Sequence, residues 1–186
     1  MITPEFLFIK SLACTNKEEK IELLAQAINI SKEPSNVLMD AYVEQVGEDH
    51  IVKTLNDSTF EISSINYIYS VLQYAYENNL FNVTYQKRIG DKLYPLLLSW
   101  CKTQAKFEQR EKILFLCSVL ICWHFDISEI YEDLIQADTI YLQIFDLCRQ
   151  RKFVQAADIM INKSDIDYTI NTDVLFSTID TIFYEE

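Results

Sequence analysis

Residues 107–134 read FEQREKILFLCSVLICWHFDISEIYEDL, with an apolar run at their centre. From Ile113 to Trp123 only Ser118 is a conventional polar residue, because the two cysteines in the run behave as small hydrophobes. A helix that is apolar on every side is stable in water only when it is buried on every side. The run is shorter than the roughly 20 apolar residues that cross a bilayer. The stretch therefore predicts a buried central helix rather than a membrane span.

The composition of the whole chain favours helices. The 186 residues are 49% hydrophobic, enough to build a core, and include only two glycines and three prolines. β-hairpins need those turn residues, so their scarcity favours helices joined by polar loops. The length suits one domain, or one domain with an appendage. We expect an all-α fold.

The charge and the cysteines limit the partners and the compartment. A formal net charge of −12 repels phosphates, so direct nucleic-acid binding is not expected. Five cysteines without CxxC spacing predict reduced, buried thiols in a reducing compartment. Residues 1–13 do not resemble a signal peptide, because Glu5 and Lys10 interrupt the apolar stretch. The sequence therefore predicts an intracellular protein without a membrane segment.

Caps and apolar periodicity predict about ten helices in all. Thr3 and Thr15 are the predicted caps of the first two helices, and residues 34–36 open the third. Gly47 is the predicted cap at the end of the third helix, and Gly90 is predicted to break or bend the sixth. The later predicted helices cover residues 49–55, 61–79, 83–102, 129–136, 139–149, 153–162 and 172–184, with an internal boundary in the polar segment 163–169.

No pattern of residues predicts catalysis. His50 and His124 are far apart and lie outside any HExxH or Cys-x-x-His context. The chain has no GxxxxGK[ST], GxGxxG or GxSxG motif, and two glycines could hardly build a phosphate-binding loop. The sequence predicts a protein that is not an enzyme, with no catalytic residue, no metal site and no cofactor.

Three segments resemble the CTD-interacting domain (CID), the family that reads the tail of RNA polymerase II. They are FLFIKSLACTNKEEKIELLAQAINISKEPSNVLMDAYVEQV, INYIYSVLQYAYENN and KILFLCSVLICWHFDISEIYEDL, which begin at residues 6, 65 and 112. The likeness is closest to the type found in SURP-motif splicing proteins. It implies a right-handed helical bundle of about eight helices, of CID/VHS/ENTH type. On this resemblance residues 1–137 form the CID-like domain, and residues 138–186 form a C-terminal helical extension.

The chain departs from the family where the family binds its peptide. The family's aspartate falls on Val71 and its asparagine near Ala75, whereas Tyr67 matches the family's tyrosine. The family's phosphate-binding arginine falls on Phe115, and the nearest cations are Arg110 and Lys112. A phosphopeptide site needs such a cation. The resemblance therefore implies the fold without binding of the phosphorylated polymerase tail.

The predicted function is that of a non-catalytic adaptor in a multi-subunit nuclear complex for transcription or pre-mRNA splicing. Tyr67, Tyr74 and Lys112 are the predicted partner-binding residues. The two tyrosines are seven residues apart on one helix face, and the alternative is that they only edge the core. A VHS/ENTH-like or HEAT-like adaptor in cytoplasmic trafficking or complex assembly is the second hypothesis. A helical enzyme or ligand carrier is the third.

Overall fold

The computed structural model describes residues 2–46, 48–57, 60–103 and 105–163. These residues form helices joined by loops and turns, with no strand among them, which confirms the predicted all-α fold. The chain divides into two compact units, Met1–Lys92 and Leu93–Glu186. The right-handed superhelical arrangement and the predicted boundary after residue 137 stay predictions.

The first unit is built around its second helix. Helix α2 packs against α1, α3 and α5, and its residues Leu24, Ala27 and Ile28 are fully buried. A single 3₁₀ turn, Ile62–Ser64, leads into α5. The helices that begin in this unit are α1 Pro4–Ala13, α2 Lys17–Ile30, α3 Asn36–Gln45, α4 Glu48–Leu55, α5 Ile65–Glu77 and α6 Val83–Cys101, the last of which continues past residue 92.

Short polar side chains cap three of these helices. The hydroxyls of Thr3 and Ser35 accept hydrogen bonds from the amides of Phe6 and Leu38. The cap at Thr3 was predicted, and Ser35 lies in the segment that was predicted to open α3. The predicted cap at Thr15 is wrong. Asn16 caps α2 instead, because its Oδ1 accepts hydrogen bonds from the amides of both Glu18 and Glu19, at 2.9 and 3.2 Å. The predicted cap at Gly47 lies outside the described residues.

Helix α6 runs without a break through Gly90, so the predicted break is wrong, whereas the predicted bend stays a prediction. It contains both Gly90 and Pro95. A glycine inside a helix costs only about 1 kcal/mol relative to alanine. The side chains of Ile89, Leu93 and Leu97, which lie on either side of the glycine along the chain, are fully buried, and that burial outweighs the cost.

The second unit contains the predicted central helix. In α8 all nine residues 113–121 are buried, which confirms the prediction from the apolar run. The one polar side chain among them, Ser118, donates a hydrogen bond to the Leu114 carbonyl one turn earlier, at 2.8 Å. Helix α10 packs against both α8 and α11. The helices that begin in this unit are α7 Ala105–Glu108, α8 Arg110–Cys122, α9 Ser128–Tyr131, α10 Gln136–Arg149 and α11 Phe153–Asn162.

Helix α9 is shorter than predicted, and the last predicted helix is not described. The prediction extended α9 over residues 129–136, but Leu134 already belongs to a turn and α10 begins at Gln136. Asp126 supports the start of α9, because its Oδ1 accepts hydrogen bonds from both the amide and the hydroxyl of Ser128. The predicted helix 172–184, and the boundary segment 163–169 beyond residue 163, lie outside the described residues.

Three helices end in a left-handed residue that is not glycine. Asn79 follows α5, His124 follows α8 and Arg151 follows α10, with φ angles of 51°, 65° and 59°. In each case the next amide reaches back to a carbonyl of the last helical turn, at 2.9 Å. This is the Schellman arrangement, whose left-handed position usually belongs to glycine. A chain with two glycines has filled it with other residues.

Candidate partner-binding surfaces

Tyr67, a predicted partner-binding residue, is a core residue of the first unit. It lies on α5 with 3% of its surface exposed. Its hydroxyl is 2.5 Å from the hydroxyl of Tyr42 on α3, and the two rings meet edge to face. The ring of Phe60 also packs edge to face against the ring of Tyr67. Burial raises the pKa of both tyrosines above the ordinary value, so both stay neutral.

Asn29 fixes the start of α5 against the end of α2. Its Oδ1 accepts a hydrogen bond from the Tyr67 amide at 3.1 Å, and its Nδ2 donates to the Ser63 carbonyl at 3.2 Å. The Asn29 carbonyl accepts a third bond from Asn66 Nδ2. Amides at the start of a helix lack partners within the helix, so this side chain supplies what a cap would supply. The result is a fixed position for Tyr67 within the core.

Tyr74 lies at the surface of the same unit. It is half-buried on α5, two turns after Tyr67, and its hydroxyl donates a hydrogen bond to the Asp40 carboxylate on α3. That hydrogen bond is the main reason why the pKa of Tyr74 is raised. The two predicted tyrosines therefore have different surroundings: Tyr67 is enclosed in the core, and Tyr74 is half-buried beside an exposed carboxylate.

Lys112, the third predicted partner-binding residue, belongs to the second unit. It lies in the first turn of α8, with its Nζ 3.5 Å from Gln109 Oε1. Its neighbour Arg110 forms an ion pair with Asp138 on α10, with 2.5 Å between Nη2 and Oδ1. Asp138 is buried, with 6% of its surface exposed, so the Arg110 guanidinium neutralises the charge of a carboxylate in the core.

Helix α1 carries exposed apolar side chains. The sequence predicts that Phe6, Leu7, Ile9 and Leu12 supply the apolar side of this helix. In the structure only Leu7 and Ser11 are buried on α1. The exposed fractions are 66% for Ile2, 57% for Phe6, 65% for Ile9 and 60% for Leu12. We call these four side chains the α1 stripe.

The spacing of the apolar residues along α1 explains why most of them are exposed and why the sequence assigned them all to one side. Successive helix residues are about 100° apart, so Phe6 and Leu7 cannot both lie in the middle of one narrow face. A short helix with apolar residues on two sides can pack through either side, and the sequence alone does not say which. The pattern that could have revealed the stripe is the pair of apolar faces on so short a helix.

The described residues offer little for metal or nucleophile chemistry. Among them no group of three or more His, Cys, Asp and Glu side chains is arranged to hold a metal ion. Nδ1 of His124 lies 2.9 Å from Arg149 Nη1, at the surface. Cys101 and Cys117 are fully buried next to each other, and their mutual hydrogen bond lowers the pKa of the first and raises that of the second. None of the described helices combines the length and apolarity needed to cross a bilayer.

Comparison with known proteins does not extend this description. No protein-family model, curated protein or solved structure matches the chain significantly.

Proposed function

We propose that the protein is a non-catalytic adaptor subunit that binds another protein chain through helix α1. The CID resemblance of the sequence leads us to place it in a nuclear complex for transcription or pre-mRNA splicing. On this proposal it works without binding the phosphorylated polymerase tail.

The observation that carries the proposal is the α1 stripe. Large apolar side chains that are more than half exposed occur singly on most protein surfaces, but here four lie within eleven residues. Contiguous exposed apolar surface marks a place where another molecule binds. Three of the four residues lie on α1 and Ile2 lies just before it, so the occupant that fits the stripe best is a second helix, as in other helix-on-helix contacts.

The surroundings of Arg110 support the proposed lack of tail binding. Its guanidinium is held by the buried carboxylate of Asp138, at 2.6 Å from Nε and 2.5 Å from Nη2. A cation in that arrangement is already neutralised by its own protein, and moving it to a phosphate would leave a buried carboxylate without its ion-pair partner.

Affinity purification from native extract tests the function. We expect the native protein to capture polymerase-associated or spliceosomal components, and Phe6→Glu to lose them because a charge enters the stripe. Val154→Glu is the matched control, because it adds the same charge at a side chain that is 76% exposed on α11. Capture of coat or sorting proteins would favour the trafficking alternative. Equal capture by Phe6→Glu and the native protein would refute docking on α1.

A further inference from the structure

Helix α1 lies in a part of this acidic chain where the formal charges balance. The whole chain carries a formal charge of −12, yet its first twenty side chains carry equal numbers of positive and negative groups. These are Lys10, Lys17 and Lys20 against Glu5, Glu18 and Glu19. Two copies can therefore approach through this end without the repulsion that the rest of the chain would impose.

The outward residues of α1 have the spacing of a two-helix seam. Phe6, Ile9 and Ala13 are separated by three and four residues, which is the alternation of a coiled coil, and all three are exposed. Ile2 precedes the helix and is exposed as well. Leu12 extends the apolar surface on one side. Such a seam buries its residues only when a second helix lies along it.

The two charges beside the seam are complementary in a parallel pair. Glu5 and Lys10 are five residues apart and lie on opposite flanks of the seam, each about 70° from its centre. In two parallel helices the flanks of opposite hand meet across the seam. Glu5 of one copy then faces Lys10 of the other, and the same contact occurs twice. In an antiparallel pair flanks of the same hand meet, and this complementarity is lost.

We propose that α1 is a dimerisation helix that pairs in parallel with α1 of a second copy of this chain. The inference rests on the proposed function, because it names the occupant of the docking surface. The seam is only one short helix long, and interfaces that bury less than about 1,200 Å² belong to transient complexes. The dimer should therefore be weak and depend on protein concentration.

Analytical ultracentrifugation tests the dimer directly. We expect the native protein to shift from monomer towards dimer as its concentration rises, and Phe6→Glu to stay monomeric throughout. Val154→Glu should dimerise as the native protein does. A native protein that is monomeric at every concentration overturns the inference, and so does a dimer that Phe6→Glu leaves intact.

A charge exchange tests the parallel orientation. Glu5→Lys and Lys10→Glu should each weaken the dimer at least several-fold, because each places like charges across the seam, and the double variant should recover it. Since Glu5→Lys also removes a carboxylate from the first turn of α1, circular dichroism should be compared for all variants. A double variant that is folded but no tighter than either single variant contradicts the parallel pair.

The failure of this inference is distinct from the failure of the proposed function. A native protein that is always monomeric, yet loses its captured partners on Phe6→Glu, retains the adaptor function and has a different occupant on α1. A native protein that dimerises through α1 but captures no nuclear component supports the dimer and refutes the adaptor role.

Discussion

The hydroxyls of Tyr42 on α3 and Tyr67 on α5 are 2.5 Å apart in the core of the first unit, although the two residues are 25 positions apart in sequence. Neither tyrosine could be buried so completely without a partner for its hydroxyl, because an unpaired buried polar group costs about 1–3 kcal/mol. Each side chain therefore supplies a hydrogen bond that helps the other to be buried, and Tyr67 has a further one to Thr54.

This mutual dependence predicts a strongly non-additive pair of substitutions. Tyr42→Phe and Tyr67→Phe should each lower the free energy of unfolding by about 1–3 kcal/mol, because each removes a partner from a buried hydroxyl. The double variant should cost less than the sum, since no hydroxyl then loses its partner in the other ring. Chemical denaturation of all four proteins measures the coupling. Additive costs would show that the two hydroxyls do not depend on each other.

The buried tyrosines also predict weaker stability at alkaline pH. Burial raises the pKa of Tyr42 and Tyr67 and raises that of Tyr131 to about 12, from an unfolded value of 10.0. Above pH 10 the unfolded chain loses these protons while the folded chain keeps them. Their contribution to stability is therefore complete below pH 10 and declines as the pH rises through the folded values. Denaturation measured against pH should show this loss, less steeply in the Tyr42→Phe, Tyr67→Phe variant.

The central helix predicts a severe effect of truncation. Leu116 is fully buried in α8, so Leu116→Ala should lower the free energy of unfolding by roughly 2–5 kcal/mol. Val154→Ala, at an exposed position on α11, should change it by less than about 0.5 kcal/mol. Thermal melting followed by circular dichroism compares the two. Similar melting of both variants would mean that α8 is not the centre of its core.

Substitutions of Tyr67 and Tyr74 should have different effects on stability in a test of their predicted partner binding. Tyr67→Ala should collapse the thermal melt, because it removes a buried ring and exposes Tyr42 to an empty space. Tyr74→Ala should leave the melt unchanged, since its hydroxyl bonds an exposed carboxylate. Partner pulldown with Tyr74→Ala then measures the binding role of Tyr74 without a change in stability. Full pulldown would leave Tyr74 without a binding role.

Peptides of the polymerase tail should bind weakly or not at all. In the resemblance to the CTD-interacting domain, Val71 lies where that family has its peptide-binding aspartate, and Arg110 is paired with Asp138. Fluorescence anisotropy with a phosphoserine heptad peptide measures the affinity, and its unphosphorylated form is the control. Micromolar binding that Lys112→Ala abolishes would place a phosphate site at the start of α8 and contradict this expectation.

The sequence predicted those features that depend on neighbouring residues. The apolar run of α8, the cap at Thr3 and the start of α3 at residues 34–36 are local patterns, and the structure confirms them. The enclosure of Tyr67 was not predictable, because its partner Tyr42 approaches only when α3 and α5 pack. The packing side of α1 was not predictable either, since two of its faces are apolar and the choice depends on α2.

Because nine consecutive residues of α8 are buried, few substitutions should be tolerated in this helix during evolution. In α2, exposed positions such as Glu22 and Gln26 recur between buried ones, and drift can accumulate there at little cost. Residues 113–121 include no exposed position, so a saturation mutagenesis scan should find that all nine tolerate substitution poorly. In α2 the tolerance to substitution should instead vary with the helical period. Inherited substitutions in this segment should come as volume-compensating sets spread across neighbouring helices. A distant relative of this chain should be easiest to recognise by that covariation.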